Sequence, residues 1–134
     1  MARASKLFDL AGTWRIARRI IGTNTRFEGI ATLTPDGDAL AYREDGMLHH
    51  NGKSTPAFRR YVYRQSDYAL AITHPDGAAF LDLVFDNGEA RARHLCGADT
   101  YDALFRFYAD GHWVTAYDIS GPHKNHRIVT RLAR

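Results

Sequence analysis

The chain has 134 residues, 45% apolar and 25% charged, a balance that suits one folded domain and excludes both a disordered chain and a two-domain one. A single cysteine excludes an internal disulfide and points to a reducing, cytoplasmic, bacterial-type setting. The net charge of +3 comes from arginines scattered among aspartates rather than from a basic stripe, so it does not predict a nucleic-acid partner.

The opening Met1-Ala2-Arg3-Ala4-Ser5-Lys6 leads into no apolar run long enough for a secretory signal, and no window nears the length of a membrane span. A short helical turn is expected over residues 5–10. Strands rich in Val, Ile, Tyr, Phe and Thr follow near 12–21, 26–34, 39–48, 57–65, 68–74, 78–85, 89–97, 101–108, 112–120 and 124–133. Turn signals separate them: Pro35-Asp36-Gly37, His50-Asn51-Gly52, Gln65-Ser66-Asp67, Pro75-Asp76-Gly77, Asp86-Asn87-Gly88, Asp110-Gly111 and Gly121-Pro122. No interval holds a crossover helix, so the sheet is antiparallel and meandering. The fold class is all-β, and a single up-and-down barrel of eight to ten strands removes the exposed edges. Such a barrel has room for one small ligand. A flattened sandwich is the rival, but it needs longer crossing loops.

Strand alternation places charges among apolar neighbours. Arg18 shares a face with Trp14, Ile16 and Ile20, Glu44 with Leu40, Tyr42 and Leu48, and Asp82 with Phe80 and Val84. An inward charge is costly unless paired, so these residues mark a buried ion pair such as Arg18–Glu44, a polar binding cavity, or both. Trp113, Thr115, Tyr117 and Ile119 give one strand an aromatic face, suited to core or to stacking against a planar ligand. Lys124 follows the stiff corner Gly121-Pro122, where it could meet an anion or simply be solvated.

The run from His94 to Tyr101 gathers the most reactive side chains. His94 and Cys96 point to the same side of a strand, but with β-carbons about 6–7 Å apart they are no preformed nucleophile pair. Asp99 lies in the following turn, where it could orient either group. The plainer expectation makes Cys96 a small buried hydrophobe and His94 a core polar residue. No paired ligand spacing accompanies the seven histidines, so neither metal nor other cofactor is expected, although a metal site assembled across strands stays open. Haem held through His94 or His126 is a less favoured alternative, resting on fold analogy.

Gly12-Thr13-Trp14, after the helical turn, resembles the start of the lipocalin or calycin superfamily. The resemblance implies that Trp14 closes the barrel floor and that Arg131 or Arg134 packs over it by a cation–π contact. More of the chain is similar to a lipocalin-like family, the domain of unknown function 6314. The matching pieces are Gly12-Thr13-Trp14 with Arg18, Phe27-Glu28-Gly29, Tyr42-Arg43-Glu44-Asp45-Gly46, Arg60-Tyr61, Asp76-Gly77, the run from His94 to Tyr101, and Gly121-Pro122-His123-Lys124. That resemblance implies the fold and brings no activity with it.

The favoured expectation is a ligand-binding barrel holding a partly polar or anionic, planar small molecule. Its site would draw on Arg18, Glu44, Tyr61, Asp82, Cys96, Tyr101, Trp113 and Lys124. An enzyme of proton-transfer chemistry (isomerase, cyclase or hydrolase) is the alternative, with His94 as acid or base and Asp99 orienting it. A third reading is an interaction domain that uses the basic, aromatic strand Arg59-Arg60-Tyr61-Val62-Tyr63-Arg64 against RNA or protein. Nucleic acid and membrane are not the expected partners, and a homodimer stays open.

Overall fold

The computed structural model describes residues 4–66 and 69–134. A 3₁₀ turn over Ala4–Leu10 precedes ten strands: β1 (Gly12–Ile20), β2 (Arg26–Asp36), β3 (Ala39–His50), β4 (Lys53–Ser66), β5 (Ala69–Thr73), β6 (Ala79–Val84), β7 (Glu89–Cys96), β8 (Asp99–Phe107), β9 (Trp113–Ser120) and β10 (Asn125–Ala133). Every pairing is antiparallel, in the order β6-β5-β4-β3-β2-β1-β10-β9-β8-β7. The sheet wraps into a nearly closed ten-strand barrel. Its two edge strands, β6 and β7, are joined by a hairpin in which Asp86 and Glu89 form a lone bridge.

The turn residues supply the backbone that the hairpins require. Asn51 and Gly52 have φ of 50° and 78°, and Asn87 and Gly88 have 53° and 77°. Two consecutive positive φ values give turns whose twist matches that of the flanking strands. The tight turn at Asn51-Gly52 also starts β4 four residues before the expected position 57, since pairing resumes at His50 with Lys53. Pro56, which argues against a strand in the sequence, sits where β4 is flanked by β3 alone, because β5 begins pairing only at Val62. The expected turn at Gln65-Ser66-Asp67 and the start of the next strand at Tyr68 fall partly outside the described residues.

One expectation about facing is corrected. Thr73 pairs with Ala79 and Ile72 with Leu81, leaving Phe80 as the extra residue of a β-bulge. The bulge shifts the alternation by one, so Leu81 and Leu83 are buried while Asp82 and Val84 face outward. Asp82 therefore lines no interior site.

The floor of the barrel is built from the 3₁₀ turn and two tryptophans. Leu7 is buried beneath the strands, and the Trp14 indole donates from Nε1 to the Leu10 carbonyl at 2.9 Å. Trp14 and Trp113 meet edge to face, with ring centroids 5.9 Å apart. Arg134, rather than Arg131, covers Trp14, its guanidinium 4.0 Å from the ring centroid. The same guanidinium donates to the carbonyls of Asp9 and Ala11 at 2.7 and 3.2 Å, tying the last strand to the turn. Arg134→Ala should lower the unfolding free energy by about 1–2 kcal/mol, from one cation–π contact and two hydrogen bonds. Urea unfolding checks this, and Arg134→Lys should recover only part of the loss because an ammonium lacks the planar fork.

Candidate functional site

Above that floor the barrel encloses a cavity of about 440 Å³, within the range that holds small molecules. Trp113, Phe105 and Leu132 line its lower end. At mid-height β1, β3 and β10 bring together Arg18, Tyr42, Glu44 and Thr130, because Arg18 stands opposite Thr130 in the β1–β10 register. The upper end is rimmed by Arg59, His74, Phe80, His94, Cys96 and Tyr101.

The mid-height cluster is a bidentate ion pair. Arg18 donates from Nη1 and Nη2 to the two Glu44 carboxylate oxygens at 2.6 and 2.9 Å, and from Nε to Thr130 Oγ1 at 2.8 Å. The Tyr42 hydroxyl donates to Glu44 Oε2 at 2.6 Å. Burial opposes ionisation of Glu44, but the hydrogen bond and charge of Arg18 outweigh it and hold the carboxyl below its ordinary value. Burial, reinforced by the Glu44 charge, pushes the Tyr42 hydroxyl well up, so it stays a donor. Tyr61, Tyr63 and Tyr117 are raised as well, first by burial, and keep their protons at neutral pH. Phe27 supports the pair from outside the cavity, its ring centroid 5.2 Å from the Arg18 guanidinium carbon.

The upper walls are aromatic. Because the bulge turns Phe80 inward, its ring stacks on Tyr61 at 5.4 Å with 4° between planes and on Tyr117 at 6.1 Å with 20°. His74 and His94 flank the same ring at 5.3 and 5.1 Å. At the floor, the Trp113 indole N–H is buried without a hydrogen-bond partner among the described residues. An orphaned buried donor costs free energy that an incoming acceptor would recover.

The reactive run does not assemble as an acid–base pair. The His94 ring packs against Phe80 and Tyr101, while the Asp99 carboxylate lies 3.2 Å from the Lys124 ammonium. Asp99 thus pairs with Lys124 instead of orienting His94, and the hydrogen bond that Lys124 donates to it raises the Lys124 pKa; neither residue lines the cavity. Cys96 is exposed, not the buried hydrophobe its composition class suggests, because it ends β7 at the open end of the barrel. His126 is exposed on β10 and does not line the cavity. Among the described residues no three His, Cys, Asp or Glu side chains converge as metal ligands. On β4, Tyr61 and Tyr63 line the cavity, and the exposed Phe58 lies beside Arg60 on that strand.

Phe80, His74, Arg59 and Thr130 line the cavity beyond the residues that the sequence singles out. Thr130 carried a usable signal, a polar residue between Ile128 and Leu132 at period two, and Arg59 carried another, lying two residues before Tyr61. The inward turn of Phe80 carried none, since the bulge shows only in the pairing.

Residues 10–134 match a family described as a family of unknown function, DUF6314. The chain belongs to this family. No curated protein matches the sequence. Among solved structures, the barrel of this DUF6314 member is similar to the S-type phycobiliprotein lyase CPES from Guillardia theta, with a TM-score of 0.68 and 10% identity over 99% of this chain and 93% of that one. It is also similar to mFAP1, a redesigned β-barrel solved bound to DFHBI, with a TM-score of 0.51 and 15% identity over 99% of this chain and 100% of that one. At these identities the likeness shows the barrel fold. Among the described residues no helix is long and apolar enough to cross a membrane.

Proposed function

We propose that this DUF6314 barrel binds a planar, partly polar small molecule in its interior. The observation that carries the reading is the cavity itself: about 440 Å³, walled by the near-parallel rings of Tyr61, Phe80 and Tyr117 and floored by Trp113. Parallel rings favour a flat conjugated partner that can stack in the same orientation. The protonated tyrosines that line it, Tyr61 and Tyr117, ask for hydrogen-bond acceptors on it. The fold supports the reading too, since a barrel of similar shape, mFAP1, was solved bound to DFHBI.

The test is native mass spectrometry of freshly purified protein, followed by thermal shifts across a panel of planar metabolites. A compound that binds one per chain and raises the melting temperature is expected. Tyr61→Phe should then weaken that compound by about 1–3 kcal/mol, the scale of one buried hydrogen bond, with the fold retained. A barrel that takes up no member of such a panel and carries nothing on purification defeats the reading.

A further inference from the structure

We infer that the ligand of this cavity carries an anionic group at the mouth, held by Arg59, and offers only neutral surface to the deeper wall. The inference rests on the cavity reading above and adds the charge of the ligand and where that charge lies.

Deep in the barrel the charges of the described residues are paired with each other. Both Glu44 oxygens accept from Arg18, one of them also from Tyr42, and the Arg18 Nε–H goes to Thr130. An anion placed there would lose its hydration, face a buried carboxylate and have to displace a bidentate pair. A neutral acceptor aimed at the Tyr61 or Tyr117 hydroxyl meets none of these costs.

The mouth differs. Arg59 stands opposite Glu44 in the β3–β4 register, with its side chain 52% exposed. Its Nε lies 4.0 Å from Glu44 Oε1, beyond hydrogen-bond reach, and that oxygen already accepts from Arg18. Arg59 lines the cavity, and its charge acts on the hydroxyls of both Tyr61 and Tyr117. Of the neighbouring cations, Arg60 turns its guanidinium over the exposed Phe58 ring, 5.7 Å from the centroid, and Lys124, which does not line the cavity, is engaged by Asp99. Arg59 is therefore a half-exposed planar cation beside the aromatic wall, only loosely paired with Glu44, with donors suited to a carboxylate or sulfonate. An anion there keeps part of its hydration while the flat remainder of the molecule stacks below.

Two fluorescent probes with one skeleton test this. One is 8-anilinonaphthalene-1-sulfonate, and the other is N-phenyl-1-naphthylamine, which lacks the sulfonate. Both should bind one per folded chain, and at about 50 mM salt the sulfonate should bind about 10-fold tighter, an advantage that shrinks to about 2-fold near 500 mM as screening grows. Arg59→Gln should remove the advantage while leaving the neutral probe within about 2-fold. Arg19→Gln, the same charge loss on the exposed outer face of β1, should leave both probes as they were. Equal, salt-insensitive binding of the two probes overturns the anionic mouth and leaves the cavity reading standing. A sulfonate preference that survives in Arg59→Gln overturns the role of Arg59. If neither probe binds the folded protein, the cavity reading itself falls, and the inference with it.

Discussion

Replacing Glu44 with leucine is expected to lower the unfolding free energy by about 3–5 kcal/mol, the usual result of stripping one partner from a buried ion pair. Glu44 is 2% exposed and accepts both Nη groups of Arg18 and the Tyr42 hydroxyl. Leucine leaves a buried guanidinium with two donors facing hydrocarbon. Changing both partners, Arg18→Met with Glu44→Leu, should recover most of the loss, because the desolvation cost then disappears along with the attraction. Urea unfolding of the two single variants and the double yields the coupling directly. A double variant no more stable than Glu44→Leu alone would show that the network does more than balance its own charges.

The same pair sets an expectation for pH. The folded-state pKa of Glu44 lies below its ordinary value of 4.5, so ionised Glu44 favours the folded state. That contribution is complete above the unfolded pKa and is lost as pH falls through the depressed folded value. Stability should decline below about pH 5, and in the Arg18→Met, Glu44→Leu double variant the decline should be shallower. Denaturation midpoints between pH 7 and about 3 check the slope.

Much of this site was legible because period-two alternation is a direct record of facing. Arg18 and Glu44 stand out in sequence as charges flanked by apolar residues at i±2, and they do meet. The stretches near Asp82 and Cys96 were read wrongly for local geometric reasons. A single extra residue at Phe80 reverses the alternation for the rest of β6 and sends Asp82 outward, and nothing in the residue types announces it. Cys96 has a buried-type side chain, but its exposure depends on β7 ending at the open rim, a boundary that propensity places poorly. The partner of Asp99 was not readable either. Lys124 is brought to it by the β8–β9–β10 meander, a contact between residues 25 apart in sequence.

The glycines hold the last lesson. Gly29 and Gly46 close two of the segments that resemble the family, Phe27-Glu28-Gly29 and Tyr42-Arg43-Glu44-Asp45-Gly46, and in the sheet they are direct partners across β2 and β3. A β-carbon on Gly46 would fall onto the Glu28 carbonyl oxygen and lie 2.7 Å from both the Gly29 Cα and the Phe27 ring. One on Gly29 would meet the Asp45 carbonyl in the same way. Neither position needs an unusual φ, so the demand is steric: the strands approach closely, and the Phe27 ring lies across the bare glycine. That ring in turn backs the Arg18 guanidinium, so the glycine pair supports the ion pair from behind. Gly46→Ala is expected to cost about 3 kcal/mol, the upper part of the range for forcing a methyl group into a packed site. Combining it with Phe27→Ala should bring no rescue, because the Glu28 and Gly29 backbone atoms remain in the way. A Gly46→Ala protein that unfolds at the wild-type urea midpoint would show that β2 and β3 part readily here. Arg18 would then be held by Glu44 and Thr130 alone.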